Sequence, residues 1–321
     1  MIGCGNIASS HFKAVQQTAE VRLIATVDAD AARAQKAARE QGASRWYTSV
    51  EEVLADSDVE ACIVGLPHYL GCPTALQVVR AGRHCLLEKP MALTLRDGEE
   101  LVRAAQEAGV VLAVGQVLRH REIYARAREL VKEGAIGRPT RVRRTRFMWS
   151  KEAPRGWATD PAKAGGWLLY GFGAHEVDIA LWVNDTYATT VYAQGRKTNP
   201  LWNDYDEIAA FFTLADGSLA TVEMSLNTRA RAWESVIVGE KESMRISGQE
   251  LEVGDEKFVV PLDPTAGFGP QLRNFVAAIH TAEPLIAAGE DVVRRCLLPL
   301  EGIKRSLETG AVIDLTRLQP A

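Results

Sequence analysis

The chain opens with Gly3-Cys4-Gly5-Asn6-Ile7-Ala8, and an acidic residue, Asp28, stands 20 residues beyond Ala8 at the end of an apolar run from Val21 to Val27. A first glycine allows a tight turn from strand into helix, a second lets a ligand approach the backbone, and a small third residue lets the helix lie close on the strand. Free N–H groups at the start of such a helix favour a pyrophosphate. An acid at the end of the second strand accepts from ribose hydroxyls. The pattern predicts a dinucleotide site made by Gly3, Gly5, Asn6, Ile7 and Asp28, with the helix beginning near Asn6. Asp28, followed by Ala29 and Asp30, would repel a 2′-phosphate, so NAD is expected rather than NADP. Arg33 is expected to lie too far along the next helix to reverse that preference. Only Met1 and Ile2 precede the glycines, so a first strand of the usual five or six residues, about, is expected to be nearly absent. A start truncated in this way is expected to weaken cofactor binding even where the fold survives.

From Ile2 to about Gln116, short apolar runs alternate with helical patterns, the signature of a parallel sheet covered by helices. The strand candidates are Val21 to Val27, Ala61 to Leu66, His84 to Leu87 and Val111 to Val114. Ser49-Val-Glu-Glu52 and Thr94-Leu-Arg-Asp97 each place a hydroxyl three residues before a carboxylate, as a helix start does. Gly42, Gly82 and Gly109 fall where helices should stop. After a helix from about Glu122 to Lys132, longer alternating strands follow. Ala215-Asp-Gly-Ser218, Gly239-Glu-Lys and Gly254-Asp mark three hairpins. Two closing helices, about Pro270 to His280 and Asp291 to Glu308, are expected to cover one side of the structure. The fold class is α/β, with a doubly wound parallel sheet followed by an α+β domain whose open sheet is largely antiparallel. The domains are 1–119 for the dinucleotide and 120–321 for the substrate and oligomerisation, the last helices packing back on the first domain.

With 37 basic against 41 acidic residues, a net charge of -4, the chain has no bulk attraction to nucleic acid or an anionic membrane. The run Thr140-Arg-Val-Arg-Arg-Thr-Arg-Phe147 reads as a strand with one solvated face rather than a phosphate-binding arm. Five scattered cysteines, none in a Cys-x-x-Cys spacing, argue against a disulfide framework and a structural zinc and suit a cytoplasmic protein. No apolar stretch reaches membrane-spanning length, and no His, Asp and Glu set has metal-binding spacing. His11 and His120 read as surface or packing residues.

Glu88-Lys89-Pro90 follows the buried run Cys85-Leu86-Leu87, so the lysine emerges at the carboxyl end of a parallel strand, where ligands bind in such sheets. A surface lysine at a strand end is the plain alternative. Pro90 is expected to hold Lys89 extended. Together with Gly3-x-Gly5-x-x-Ala8, with Val114-Gly-Gln116, with Gly134-Ala-Ile-Gly137, with Gly165-Gly166 leading to Gly173-Ala-His175-Glu-Val-Asp178, and with Ser306-Leu-Glu-Thr-Gly310, this motif resembles the Gfo/Idh/MocA family, named from glucose-fructose oxidoreductase, inositol dehydrogenase and rhizopine catabolism. The resemblance implies a Rossmann domain and an α/β domain whose sheet bears substrate on one side and a partner subunit, as homodimer or homotetramer, on the other. It implies hydride exchange between NAD(P) and a secondary alcohol of a sugar or cyclitol. Lys89 would hydrogen-bond the substrate oxygen, and His175 would exchange the hydroxyl proton. Pro67, His68, Glu88, Lys89 and Gln116 join the expected cofactor site; a neutral loop histidine is the plain alternative for His68. Trp157, Tyr170, Asp178 and Arg119 are the expected substrate contacts.

The sequence departs from the family pattern where it bears on mechanism. Relatives commonly carry an aspartate four residues before the histidine, where it orients the imidazole; Gly171 stands there. Tyr170 or Asp178 are the expected partial substitutes. Gly71 and Trp167 replace a frequent histidine and a third glycine. Three readings therefore stay open: a polyol dehydrogenase, a lyase or glycosidase working through transient oxidation, and a non-catalytic dinucleotide-binding protein. Trp149, Trp157, Trp167, Tyr170 and Phe172 gather before His175, and sheet core is the expected role for at least half of them.

Overall fold

The computed structural model describes residues 1–152, 154–261, 263 and 265–318. They fall into two units: Met1–Ala92, Arg96–His120 and Thr265–Asp291 form one, and Leu93–Leu95, Arg121–Pro264 and Val292–Ala321 form the other.

In the first unit, helices α1 (Ala8–Gln16), α2 (Ala31–Gln41), α3 (Val50–Leu54), α4 (His68–Arg80) and α5 (Leu95–Glu107) alternate with strands β1 (Ala25–Val27), β2 (Arg45–Tyr47), β3 (Ala61–Val64), β4 (His84–Leu87) and β5 (Leu112–Val114). Every pairing among these strands is parallel. Ile2 bridges Val27 on one side and Val64 on the other, which gives the order β2-β1-Ile2-β3-β4-β5 and makes Met1–Gly3 the stub of a central strand. The Met1 ammonium donates to the Ala25 carbonyl at 2.9 Å, and Val27 N–H donates back to the Met1 carbonyl at 2.9 Å. The β1 ladder starts at Ala25, opposite Arg45 of β2, and not at Val21.

Local signals are met closely in this unit. Ser49 and Glu52 form a capping box on α3, and Asp30 caps α2. Such caps are worth about 1 kcal/mol each. Gly42 ends α2 at φ +71°, in the left-handed region that only glycine enters without strain. Between sheet and helices lies a core of Ala14, Leu86, Ala113, Val117, Phe268, Leu272 and Phe275.

The second unit is built on a nine-stranded sheet. Helix α6 (Glu122–Lys132) leads into β6 (Pro139–Trp149); after α7 (Pro161–Ala164) and α8 (Ala174–Val183) come β7 (Ala188–Arg196), β8 (Glu207–Leu214), β9 (Leu219–Ser225), β10 (Asn227–Gly239), β11 (Ser243–Ser247), β12 (Glu250–Val253) and β13 (Glu256–Val259). The chain then enters the first unit as α9 (Phe268–Thr281), and α10 (Gly289–Val292) runs through a π-helical turn, Val293–Leu297, into α11 (Leu298–Thr309) and the short β14 (Ile313–Asp314). The sheet order is β13-β12-β11-β10-β6-β9-β8-β7-β14, antiparallel throughout except for the parallel pair β6–β9. All three expected hairpins form, at β8–β9, β10–β11 and β12–β13. The expected fold class holds.

Strand β8 alternates without a break, with Ile208, Ala210, Phe212 and Leu214 buried. Its other face leaves Phe211 52% exposed. Period-two alternation of this kind is the mark of a sheet covered on one side. Two expectations need correction. The closing helices are divided between the units: α9 belongs to the first and α11 to the second. The arginines of β6 are not all on a solvated face, because Arg144, in step with buried Val142, is itself fully buried.

Candidate active site

Every parallel segment of the first unit except β2 delivers expected site residues at its carboxyl end. The Met1–Gly3 stub leads to Gly5, Asn6 and Ile7, β1 to Asp28, β3 to Pro67 and His68, β4 to Glu88 and Lys89, and β5 to Gln116. Gly3 has φ +88°, and a Cβ there would stand 2.3 Å from the Gly65 carbonyl oxygen. Only glycine fits. At Gly5 a Cβ would meet no protein atom within 4 Å, so the backbone is open to approach. Helix α1 starts at Ala8, two residues later than expected, with Ile7 at its N-cap. Cys4 N–H donates to Asp28 Oδ2 at 3.0 Å, and Asp30 N–H donates to Oδ1 at 3.0 Å. These bonds hold the carboxylate beside the glycine turn. Arg33 corrects the sequence reading, since its guanidinium reaches Asp28 Oδ2 at 3.4 Å. Its side chain is exposed, and a pair of that kind is weak. The cradle at Gly3, the open approach at Gly5 and the oriented acid fit a dinucleotide.

At the end of β4, Glu88 is buried with His11, whose Nε2 lies 2.7 Å from Glu88 Oε1. His11 also meets Phe268 edge-on at 5.1 Å and is a packing residue. A Cβ at Gly115 would come 3.0 Å from the Glu88 carboxyl, which explains the glycine between Val114 and Gln116. Lys89 is half-buried, its N–H donates to Glu88 Oε2 at 3.2 Å, and the Lys89–Pro90 peptide is cis. His68 opens α4 and is buried, as is Gln116. Arg119 is not placed for substrate: it is 0% exposed, and its Nη1 donates to Asp291 Oδ2 at 2.6 Å and the Ile286 carbonyl at 2.9 Å.

In the second unit, a π-helical turn, Trp167–Gly173, leads directly into α8. Wide turns of this type often mark functional positions. Every residue of α8 is buried except His175, so the one partly exposed side chain of that helix is an imidazole. Phe172, three residues earlier and also half-exposed, lies on the same face. Trp157, Trp167 and Phe172 form an edge-to-face chain with centroids 5.8 and 6.2 Å apart. Asp178, at i+3 from His175, is buried. Tyr170 is 0% exposed and its hydroxyl is buried; burial pushes its phenol pKa up. That enclosure makes Tyr170 a core residue and corrects its expected substrate contact. Gly171 leaves room, since a Cβ would sit 3.4 Å from the Trp167 ring.

Residues 1–116 match the profile described as "Oxidoreductase family, NAD-binding Rossmann fold", and residues 124–245 match "GFO/IDH/MocA C-terminal domain". The chain belongs to the Gfo/Idh/MocA family. This Gfo/Idh/MocA oxidoreductase is 28% identical over 98% of its length, and 97% of the relative's, to 1,5-anhydro-D-fructose reductase of Ensifer adhaerens. It is 27% identical to scyllo-inositol 2-dehydrogenase (NAD(+)) of Bacillus subtilis over 70% of its length and 66% of the relative's. Among solved structures it superposes on GenD2 from gentamicin A biosynthesis, in complex with NAD, with a TM-score of 0.86, 25% identity and coverage of 98% and 94%. Its cofactor is NAD.

The sequence did not bring Arg144, Arg146, Glu176 and Trp233 together, as the structure does. Arg144 Nε donates to Glu176 Oε2 at 2.6 Å, and Arg146 lies over Trp233, 4.4 Å from the ring centroid. The signal was there: Arg144 and Arg146 share the parity of Val142 along β6, which assigns them to the covered face.

Proposed function

We propose that this oxidoreductase exchanges a hydride between NAD and a secondary alcohol of a sugar or cyclitol. The observation that carries the reading is His175, the one partly exposed residue of an otherwise buried helix. Bound NAD supplies the hydride acceptor or donor, and the chain's own residues handle oxygen and proton. Lys89 donates from Nζ to the substrate oxygen and stabilises the negative charge that develops there as the proton leaves. His175 takes that proton in oxidation and returns it in reduction. Pro67, His68, Glu88 and Gln116, at the same sheet edge as Gly3, Gly5 and Asp28, orient the cofactor. Trp157 offers an aromatic face to the C–H face of a sugar ring.

Absorbance at 340 nm over a panel of cyclitols and pyranoses tests the reading. Lys89→Met is expected to abolish turnover and to leave NAD affinity near that of the parent protein. Near-normal turnover by that variant removes Lys89 from the mechanism. Gly171 in place of a relay aspartate favours a second reading, a lyase or glycosidase acting through transient oxidation; substrate loss without net NADH on enzyme carrying NAD identifies it.

We also infer that the uncovered sheet face takes a second copy of the chain as homodimer or homotetramer. The exposed Phe211, Leu219 and Val238 support this, since isolated sheets of this size seldom leave such side chains to water. Phe211→Glu is expected to lower the mass measured by light scattering.

A further inference from the structure

Three guanidinium groups surround one indole on the covered face of the large sheet. Arg146 lies 4.4 Å from the Trp233 ring centroid, and Arg121 and Arg144 each lie 5.7 Å from it. Arg146 also stands 5.5 Å over Phe172. The strand register explains the grouping, because Trp233 pairs directly with Arg146 and Ser235 with Arg144. Residues opposite one another on neighbouring strands share a face.

The charges in this cluster do not balance. Arg144 is matched: its Nε donates to Glu176 Oε2 at 2.6 Å, and its Nη1 donates to Ser235 Oγ at 3.0 Å. The other oxygen of the same carboxylate is 3.9 Å from Arg146 Nη1, beyond hydrogen-bond reach. One buried carboxylate thus faces two guanidiniums. Asp263 faces Arg121, and exposed Arg231 adds a further positive charge toward Arg146. Burial holds the pKa values of Arg121 and Arg146 below their ordinary value. One buried donor, Trp233 Nε1, has no acceptor among the described residues, whereas Arg144 also has the Tyr124 side chain beside it. Buried donors left without acceptors are costly and rare in folded proteins.

A single negative charge brought to Arg146 would answer the surplus of charge. The surplus is about one positive charge at Arg146, whose side chain is 23% exposed and therefore reachable. A planar guanidinium fork fits a planar carboxylate with two parallel hydrogen bonds. The cluster also stands at the end of α8 that bears His175, since Phe172 precedes His175 by three residues and Glu176 follows it directly.

We propose that the substrate is a carboxylated sugar or cyclitol, of the uronic or aldonic acid class, and that Arg146, braced against Trp233 and Phe172, binds its carboxylate. This rests on reading His175 as the group that exchanges the substrate proton. Arg146 is a specificity-determining residue in this account, and Arg144 with Glu176 positions it.

The test compares acids with their neutral parents, D-glucuronate with D-glucose and D-galacturonate with D-galactose, by NADH formation and by calorimetric titration of NADH-loaded protein. The acids are expected to exceed the neutral sugars roughly a hundredfold in kcat/KM, and Arg146→Gln to collapse that preference mainly through KM. Arg146→Lys, which keeps the charge and loses the fork, should recover only part of it. A preference for the neutral sugars, or an equal loss on both classes in Arg146→Gln, overturns the proposal. Heat of binding from the acids that disappears in Arg146→Gln, with no NADH formed from any sugar, keeps the carboxylate site and rejects the dehydrogenase reading. No heat and no turnover with either acid rejects the site. Should Arg146→Gln fail to fold, the exposed Arg231→Gln replaces it, with a several-fold weaker binding of the acids expected and no change overturning the proposal.

Discussion

Arg144 Nε lies 2.6 Å from Glu176 Oε2, with both side chains almost wholly enclosed beneath α8. A buried ion pair is weak evidence of net stability, because the desolvation of two charges offsets most of their attraction. Breaking it from one side is different. Glu176→Ala leaves the Arg144 guanidinium buried without its partner and is expected to cost about 3–5 kcal/mol in urea unfolding. Replacing both, as Arg144→Met with Glu176→Leu, is expected to recover most of that loss. A double variant as unstable as Glu176→Ala would show that the pair holds the local fold together in some other way.

Gly3 and Gly5 are expected to separate folding from binding. Gly3→Ala places a Cβ 2.3 Å from the Gly65 carbonyl oxygen at φ +88° and should lower unfolding free energy by at least about 1–3 kcal/mol. Gly5→Ala meets no protein atom, so its unfolding should stay within about 1 kcal/mol of the parent. Its NAD affinity, measured by titration, should fall roughly tenfold or more, as a methyl group intrudes where the pyrophosphate approaches the backbone. Unchanged NAD affinity in Gly5→Ala would place the pyrophosphate elsewhere.

Gly171→Asp adds a carboxylate one turn before His175. The Cβ itself makes ordinary contact, 3.4 Å, with the Trp167 ring, and circular dichroism of the variant checks that the buried position accepts the carboxylate. Orienting the imidazole is expected to raise kcat for alcohol oxidation roughly tenfold to a hundredfold. No gain favours the other two readings, a lyase or glycosidase acting through transient oxidation and a non-catalytic dinucleotide-binding protein.

His120 should make stability depend on pH. Burial, and then the neighbouring Arg119 charge, lower its pKa from 6.5 to about 4. In the unfolded chain the imidazole takes up a proton below its ordinary pKa, and in the folded chain it resists until about pH 4. Its contribution is therefore fully present above pH 6.5 and is lost as the pH falls toward 4, by up to about 3 kcal/mol. Denaturant unfolding at several pH values should show that slope, and His120→Gln should flatten it. A slope unchanged in His120→Gln would assign it to other groups, such as His84, whose pKa burial also lowers.

Local chemistry in the sequence determined much of this protein. The left-handed glycine ends of α2, α4 and α5, the capping box at Ser49 and Glu52, and the turns of three hairpins depend on a few adjacent residues, whose conformations are set by sterics and short hydrogen bonds. The glycine turn at Gly3 and its acid at Asp28 were legible for the same reason. Strand ends were less so: the β1 ladder begins at Ala25, opposite Arg45, and a partner is a distant part of the chain. Burial belonged wholly to the tertiary structure. Arg119, Arg144 and Tyr170 look like surface or pocket residues by type, and all three are enclosed, since an arginine can be buried wherever distant acceptors such as Asp291 or Glu176 meet it. The division of α9 and α11 between the two units was likewise decided by which apolar surfaces they cover, a property that no single stretch of sequence contains.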